Sequence, residues 1–489
     1  MNPPYFEELN GTHLENDLNT NLLLISTVLG DSADFNKIII NINGTGCAVL
    51  SIEGMASTQL MGELIYQPLT DLAVQKITRE ELHRFVAEGS LMSADRQSVD
   101  QIGKLTELLF SGFAAVVTDG FAEAVCFGIQ GFEKRAVSLP ETEQTISGAR
   151  DSFNESLRTN MSLVRRRLKT PALRFKLLQA GKLSRTDISV AYIEGRADPE
   201  TVDIVQQELM SIELDTLLNS GYIMPFIDRT YGQSFFSALI VTERPDVACA
   251  ALNEGKILVF IDGTPECIML PTVFADNFRT MDDYSQKPLF AAFSRWLKYL
   301  AFLLAVFLPG LYAALVTFHP EVFPLKLLLN LAAAEEATPY PLVVEIALLL
   351  VLFEVMREAG VRLPKAVGGA VSIVGGLIIG DAAVKSGLVS QPLLIVVGIT
   401  ATASFVLPSL YSSLSLLRLI FVLAGGLGGL YGIAVVSLLL VFNIASADQY
   451  GAAFTSPLMP LKTHGFGDIF FRPDFPALQT RHTTIADRK

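Results

Sequence analysis

Three acidic residues stand inside otherwise apolar stretches of this chain: Glu345, Glu354 and Asp381. A carboxylate is costly in hydrocarbon, so an acid in such a run is expected to face a bundle interior, a pore or a partner. A ring of acids favours cations, and all three are candidate pore or gate residues. Glu354 and Asp381, near the ends of their runs, equally fit side chains that reach lipid headgroups, and Glu345, four residues past Pro341, also fits an interfacial position. A second pattern is one of size. Gly368, Ser372, Gly376 and Gly380 recur every four residues, and Ala424, Gly428 and Gly432 repeat the spacing. Small residues at that interval stack along one helix face and let two backbones approach closely, within one subunit or between subunits. Arg357, Glu358, Arg362 and Lys365 precede the first ridge and read as a charge cluster at a membrane edge.

Other chemistry is thin. Asp262-Gly263-Thr264-Pro265 looks superficially like the aspartate loop of a phosphoryl-transfer enzyme, but an Asp-Gly turn ending an apolar strand is the ordinary explanation. No phosphate loop, second acidic pair or activated nucleophile stands near it, and the chain reads as a non-enzyme. Cys47, Cys126, Cys249 and Cys267 lack CxxC or Cys/His spacing. They read as buried apolar thiols in a reducing compartment, with no metal or cofactor implied.

The elements that must position these residues follow from composition. Half of the 489 residues are hydrophobic and the mean hydropathy is +0.42, too apolar for an ordinary soluble chain. Residues 291–489 hold 13 Lys and Arg against 11 Asp and Glu, net +2, which leaves −15 of the total −13 for residues 1–290. An acidic soluble part argues against nucleic acid as a partner. The N-terminus has neither a basic n-region nor an apolar h-region, so no cleavable signal is expected and the soluble part is expected in the cytosol.

Alternating strands and helices predict an α/β two-lobed N-terminal domain followed by an all-α transmembrane helical domain with about five hydrophobic spans. Lobe one covers residues 1–135, a linker 136–160, lobe two 161–290, the transmembrane domain 291–445 and a polar tail 446–489. Strands are expected at Lys37–Ile42, Gly46–Ile52, Phe113–Thr118, Ala124–Ile129, Asp187–Glu194 and Lys256–Asp262. Helices are expected at 14–29, 79–88, 98–110 and Pro199–Leu218, the last capped by Asp198. The basic run with Arg165, Arg166, Arg167 and Lys169 reads as a helix with a solvated face or a contact for anionic lipid. The spans are Trp296–Val316, with a kink expected at Pro309-Gly310, Pro341–Met356, Val367–Val384, Pro392–Tyr411 and Leu416–Phe442. Arg295, Lys298, Arg357, Arg362, Lys365 and Arg418 fall on one side if every run crosses once, while the basic tail then falls on the other. Either that rule fails for the tail or one segment is re-entrant.

Several segments together resemble the A-subunit family of bacterial spore germinant receptors, the GerA-type spore germination proteins. They are ETEQTISGARDSFNESLRTNMSLVRRRLK (Glu141–Lys169), SGYI (Ser220–Ile223), TERPD followed by EGKILVFIDGTP (Glu254–Pro265), DDY (Asp282–Tyr284), and REAGVRLP with SIVGGLIIGDAAV. The resemblance implies a cytosolic two-lobed domain, residence in the inner membrane of a dormant endospore, and partnership with a transporter-like B subunit and a lipoprotein C subunit. It further implies homo-oligomerisation into a nutrient-gated ion channel, or, in the stage V sporulation protein AF branch, a non-conducting scaffold. The chain departs from the family at Ser147–Phe153, at Asp381, where a glutamine is common, and at Arg481-His482. These changes mark it as divergent.

Overall fold

The computed structural model describes residues 9, 11–30, 32–89, 95–131, 140, 143, 145, 148–363, 380–459 and 468–472. Lys365, Gly368, Ser372 and Gly376 lie outside them. The described residues fall into two compact units: those up to Arg229 with Leu239–Thr272, and Thr230–Ala238 with those from Val273 onward. Each is described by itself.

The first unit opens with α1 (Leu18–Leu29), where the Asp17 carboxylate accepts the Thr20 N–H at 2.8 Å and so satisfies a helix donor that would otherwise lack a partner. Strands β1 (Phe35–Ile42) and β2 (Thr45–Ile52) form a hairpin through Asn43 and Gly44, with φ 50° and 86°. An Asn-Gly pair favours that two-residue turn because both positions need positive φ. After α2 (Arg79–Glu88) come β3 (Arg96–Val99), α3 (Ile102–Leu109), β4 (Phe113–Thr118) and β5 (Ala124–Gly128). The antiparallel sheet runs β1-β2-β4-β5-β3. Its side chains alternate between two cores: Leu50, Ala115, Val117 and Cys126 pack with Leu22, Ile25 and Leu105, while Cys47, Val49, Val116 and Phe127 pack with Ile65, Leu82 and Val86.

Lobe two contains α4 (Leu157–Arg167), β6 (Leu173–Ala180), β7 (Thr186–Ile193), α5 (Pro199–Met210), β8 (Ile240–Thr242), α6 (Pro245–Glu254), β9 (Ile257–Ile261) and β10 (Cys267–Leu270). Its sheet order, β6-β7-β9-β10-β8, is that of lobe one strand for strand. The same bonds recur. Asn21 Oδ1 accepts the Glu15 N–H at 2.7 Å and its amide donates to the Glu15 carbonyl at 2.6 Å; Asn160 does the same to Asn154 at 2.8 and 2.6 Å. Asp119 accepts the Leu18 N–H at 3.2 Å, and Asp262 accepts the Leu157 N–H at 3.0 Å. In each lobe the Asp-Gly turn therefore ties a strand end to a helix start, which accounts for Asp262-Gly263 structurally.

Three expectations are corrected. The helix foreseen over 98–110 is β3 followed by α3, the one foreseen over Pro199–Leu218 ends at Met210, and the basic run is helical only to Arg167, leaving Lys169 outside, because Pro171 disfavours helical backbone at Thr170 and β6 begins at Leu173.

The second unit is helical: α7 (Pro288–Phe318), α8 (Leu325–Glu336), α9 (Leu342–Arg362), α10 (Gln391–Phe405) and α11 (Tyr411–Ser446); residues 380–385 are also helical. α7 runs through Pro309-Gly310 without a break. It crosses α11 where a Cβ on Gly310 would lie 2.4 Å from the Phe421 carbonyl oxygen and one on Gly425 would lie 2.2 Å from that of Gly310. Only glycine permits that approach.

The five expected spans are not all recovered. Among the described residues, two stretches are long and apolar enough to cross a membrane, Pro288–Phe318 and Pro408–Ser446. α10 has 15 residues, α9 carries charge along its second half, and most of Val367–Val384 lies outside the described residues. Nor is α11 one straight helix, since Gly429 inside it has φ 58° and ψ −145°. Ser413 donates to the Phe235 carbonyl at 2.5 Å, and Asn443 accepts the Phe235 N–H at 3.0 Å. A straight helix would hold residues that far apart in sequence about 45 Å from one another. The chain therefore turns back at Gly429, where Phe318 packs on the bend.

Candidate functional site

Glu354 is bonded to groups of its own unit. On α9 it accepts from Arg357 Nε at 3.1 Å, from Arg418 Nη2 at 2.9 Å, from the Tyr411 hydroxyl at 3.0 Å and from the Ser415 hydroxyl. Arg418 is buried with 1% exposure, and its guanidinium lies 5.7 Å from the Tyr411 ring centroid. Sequence position alone suggested Arg418 as a basic flag beside a membrane surface; the structure pairs it with an acid between α9 and α11. A low-dielectric surrounding strengthens such a pair and makes either partner alone expensive. The edge cluster is likewise paired along α9: Arg357 and Arg362 both bond Glu358, at 3.3 and 2.7 Å.

Glu345 is 1% exposed. It sits in the first turn of α9, where one carboxylate oxygen accepts the Ser390 N–H at 3.3 Å at the start of α10. Asp381 is largely exposed and pairs with Lys385 at 2.7 Å one helical turn on. The three candidate acids therefore occupy three separate settings.

The described glycines also differ. A Cβ on Gly428 meets nothing within 4 Å, so its face is open, whereas one on Gly432 would lie 2.2 Å from the Ala424 carbonyl oxygen across the bend. Gly432 thus serves the reversal within α11. A Cβ on Gly380 would make ordinary contact with Leu394 at 3.4 Å.

Two buried charge centres escaped the sequence reading. Arg165, 2% exposed, bonds Asp34 through Nε at 2.8 Å and Nη2 at 3.0 Å, donates to the Thr170 and Leu173 carbonyls at 3.0 Å, and lies between Phe110 and Phe175. It is an anchor between the lobes rather than a lipid contact. In the helical unit Arg295, 0% exposed, bonds Asp283 at 3.0 Å and Asp468 at 3.1 Å. Asp283 also takes Lys298 at 3.1 Å, and Asp468 takes Arg279 at 2.9 Å. The Asp-Asp-Tyr motif was a visible signal for this centre, although its partner at 468 was not. Among the described residues no three His, Cys, Asp or Glu side chains gather as a metal site.

Residues 24–484 match the model of the Bacillus/Clostridium GerA spore germination protein, and the chain belongs to that GerA family. Spore germination protein KA of Bacillus subtilis (strain 168) is 36% identical over 90% of this chain and 80% of its own length. The uncharacterized membrane protein YfkQ of the same organism is 34% identical over 91% and 86%. Among solved structures, the N-terminal domain of the A subunit of the Bacillus megaterium spore germinant receptor GerK3 is 28% identical, covering 54% of this chain and 98% of that one, with a TM-score of 0.43.

Proposed function

We propose that this chain is the membrane subunit of a nutrient-responsive germinant receptor, and that copies of it assemble into a nutrient-gated ion channel whose opening starts germination. Its partners are a transporter-like B subunit and a lipoprotein C subunit. The first unit faces the cytosol and the helical unit lies in the spore inner membrane. The observation that carries this reading is the Glu354 centre: an ion pair with Arg418 inside apolar helices, with Glu354 keeping 26% of its side chain exposed. A partly open carboxylate in an apolar helix face marks an ion path or a subunit contact. The doubling back of α11 adds support on topology. It fits a return of the chain to the side where Arg295 meets Asp468 and where Arg472 donates to the Gln286 carbonyl at 2.7 Å, so that Arg472 and the basic start of α7 share one face, as positive residues on the cytosolic side require.

The second reading, a non-conducting scaffold coupling a sensor to a separate channel, is favoured by another observation. Glu354 and Asp381 are engaged with cations of their own chain, and Glu345 is enclosed. Reconstitution with the B and C partners separates the two. Nutrient-dependent cation flux that falls with Glu354→Gln supports the channel, and assembly without flux supports the scaffold.

A further inference from the structure

Four polar groups converge where the helical unit should be dry. Glu345 Oε1, Glu335 Oε1, the Tyr312 hydroxyl and the Ser390 hydroxyl are all buried, and among the described residues none has a hydrogen-bond partner. They come from four elements: Tyr312 from α7, Glu335 from the last turn of α8, Glu345 from the first turn of α9, and Ser390 from the residue preceding α10. Tyr312 lies within reach of both carboxylate charges and of the Ser390 hydroxyl, and the two carboxylates are close enough to repel. Glu345 and Ser390 are 1% and 3% exposed. Leu342, Ile346, Val389 and Leu393, the neighbours of Glu345 and Ser390 along the chain, form one apolar cluster with Tyr312 packed against it.

Buried polar atoms are paired in native proteins, and each exception asks for an explanation. Among the described residues no basic side chain is bonded to these carboxylate oxygens. Lys326 is at the far end of α8, Lys385 is bonded to Asp381, His319 to Glu321, and α10 has no ionisable residue. A shared proton would ease the repulsion but would leave the hydroxyls and most carboxylate oxygens unused. A hard divalent cation takes oxygen ligands, carboxylates foremost, and would neutralise both acids at once.

We propose that Glu335, Glu345, Tyr312 and Ser390 form an oxygen-only site for a hard divalent cation of calcium size, which clamps the ends of α8, α9 and α10 to α7. The site lies within one chain and is independent of the channel reading.

The test uses the full chain in detergent, stripped of divalent ions, with calcium chloride as the probe and choline chloride holding ionic strength constant. Thermal unfolding followed by the single tryptophan, Trp296, is expected to show a saturable rise in Tm of roughly 5 °C. The rise should be lost in Glu345→Gln and kept in Glu336→Gln, which removes the same charge one residue from Glu335. If Glu345→Gln does not fold, Glu335→Gln and Tyr312→Phe make the same comparison. No calcium-dependent rise, or an equal rise in the wild type and in the variants of the cluster, overturns the site and leaves a shared proton as the explanation.

Discussion

Ser413 and Asn443 hold the same residue: one bonds the carbonyl of Phe235 and the other its N–H. Two halves of an apolar stretch that hydropathy presents as one long span therefore end side by side. If α11 enters and leaves on one face, Ser413→Cys and Asn443→Cys, in a background without the four native cysteines, should react with an impermeant maleimide from the same side of the membrane. Labelling from opposite sides would mean that the reversal at Gly429 is absent in the bilayer.

The crossing of α7 and α11 makes a prediction about size. Gly425→Leu places atoms where the Gly310 backbone already lies and should abolish the folded helical unit, seen as loss of protease resistance in detergent. Gly428→Leu meets open space and should leave that resistance intact. If Gly428 faces a neighbouring subunit, the same variant should lower the oligomer yield in crosslinking while the monomer stays folded.

Arg165 and Asp34 are both almost wholly buried, so removing one leaves the other uncompensated. Arg165→Ala should destabilise the first unit by about 3–5 kcal/mol, the cost of breaking a buried pair, whereas Arg166→Ala should cost far less. Chemical denaturation of the full chain, followed by proteolysis within lobe one, measures both.

Burial pushes the thiols of Cys47, Cys126 and Cys249 up to about 12 and that of Cys267 well above its ordinary range. Thiolate is the reactive form, so the native chain should resist thiol reagents at neutral pH and titrate fully once unfolded. The folded state holds these protons more tightly than the unfolded state. Its advantage is therefore complete below the unfolded value near 9.0 and is lost as pH rises toward about 12, which denaturation midpoints across that range would record.

Much of lobe one and lobe two was legible because local signals agreed with the fold. The mostly apolar strand Phe113–Thr118 and the Asp198 cap each carry their own mechanism, and each is found. The repeat of one lobe in the other was not legible, since it lies in strand order and in the paired roles of Asn21 and Asn160 rather than in shared motifs. The ion pairs of Arg165, Arg295 and Arg418 were not legible for one physical reason. A guanidinium is judged by its neighbours, and their partners Asp34, Asp468 and Glu354 lie far away in sequence. The bend at Gly429 was hidden too, because an apolar, glycine-rich run is compatible with a straight helix or a reversed one.

The central claim is conduction, and flux tests it most directly. The full chain would be reconstituted with its B and C partners in potassium-loaded liposomes, and nutrient-triggered efflux measured for the wild type and for Glu354→Gln. The account predicts efflux only with nutrient, reduced at least severalfold in the variant. Intact assembly and nutrient binding with no efflux from the wild type would contradict it and leave the scaffold reading in its place.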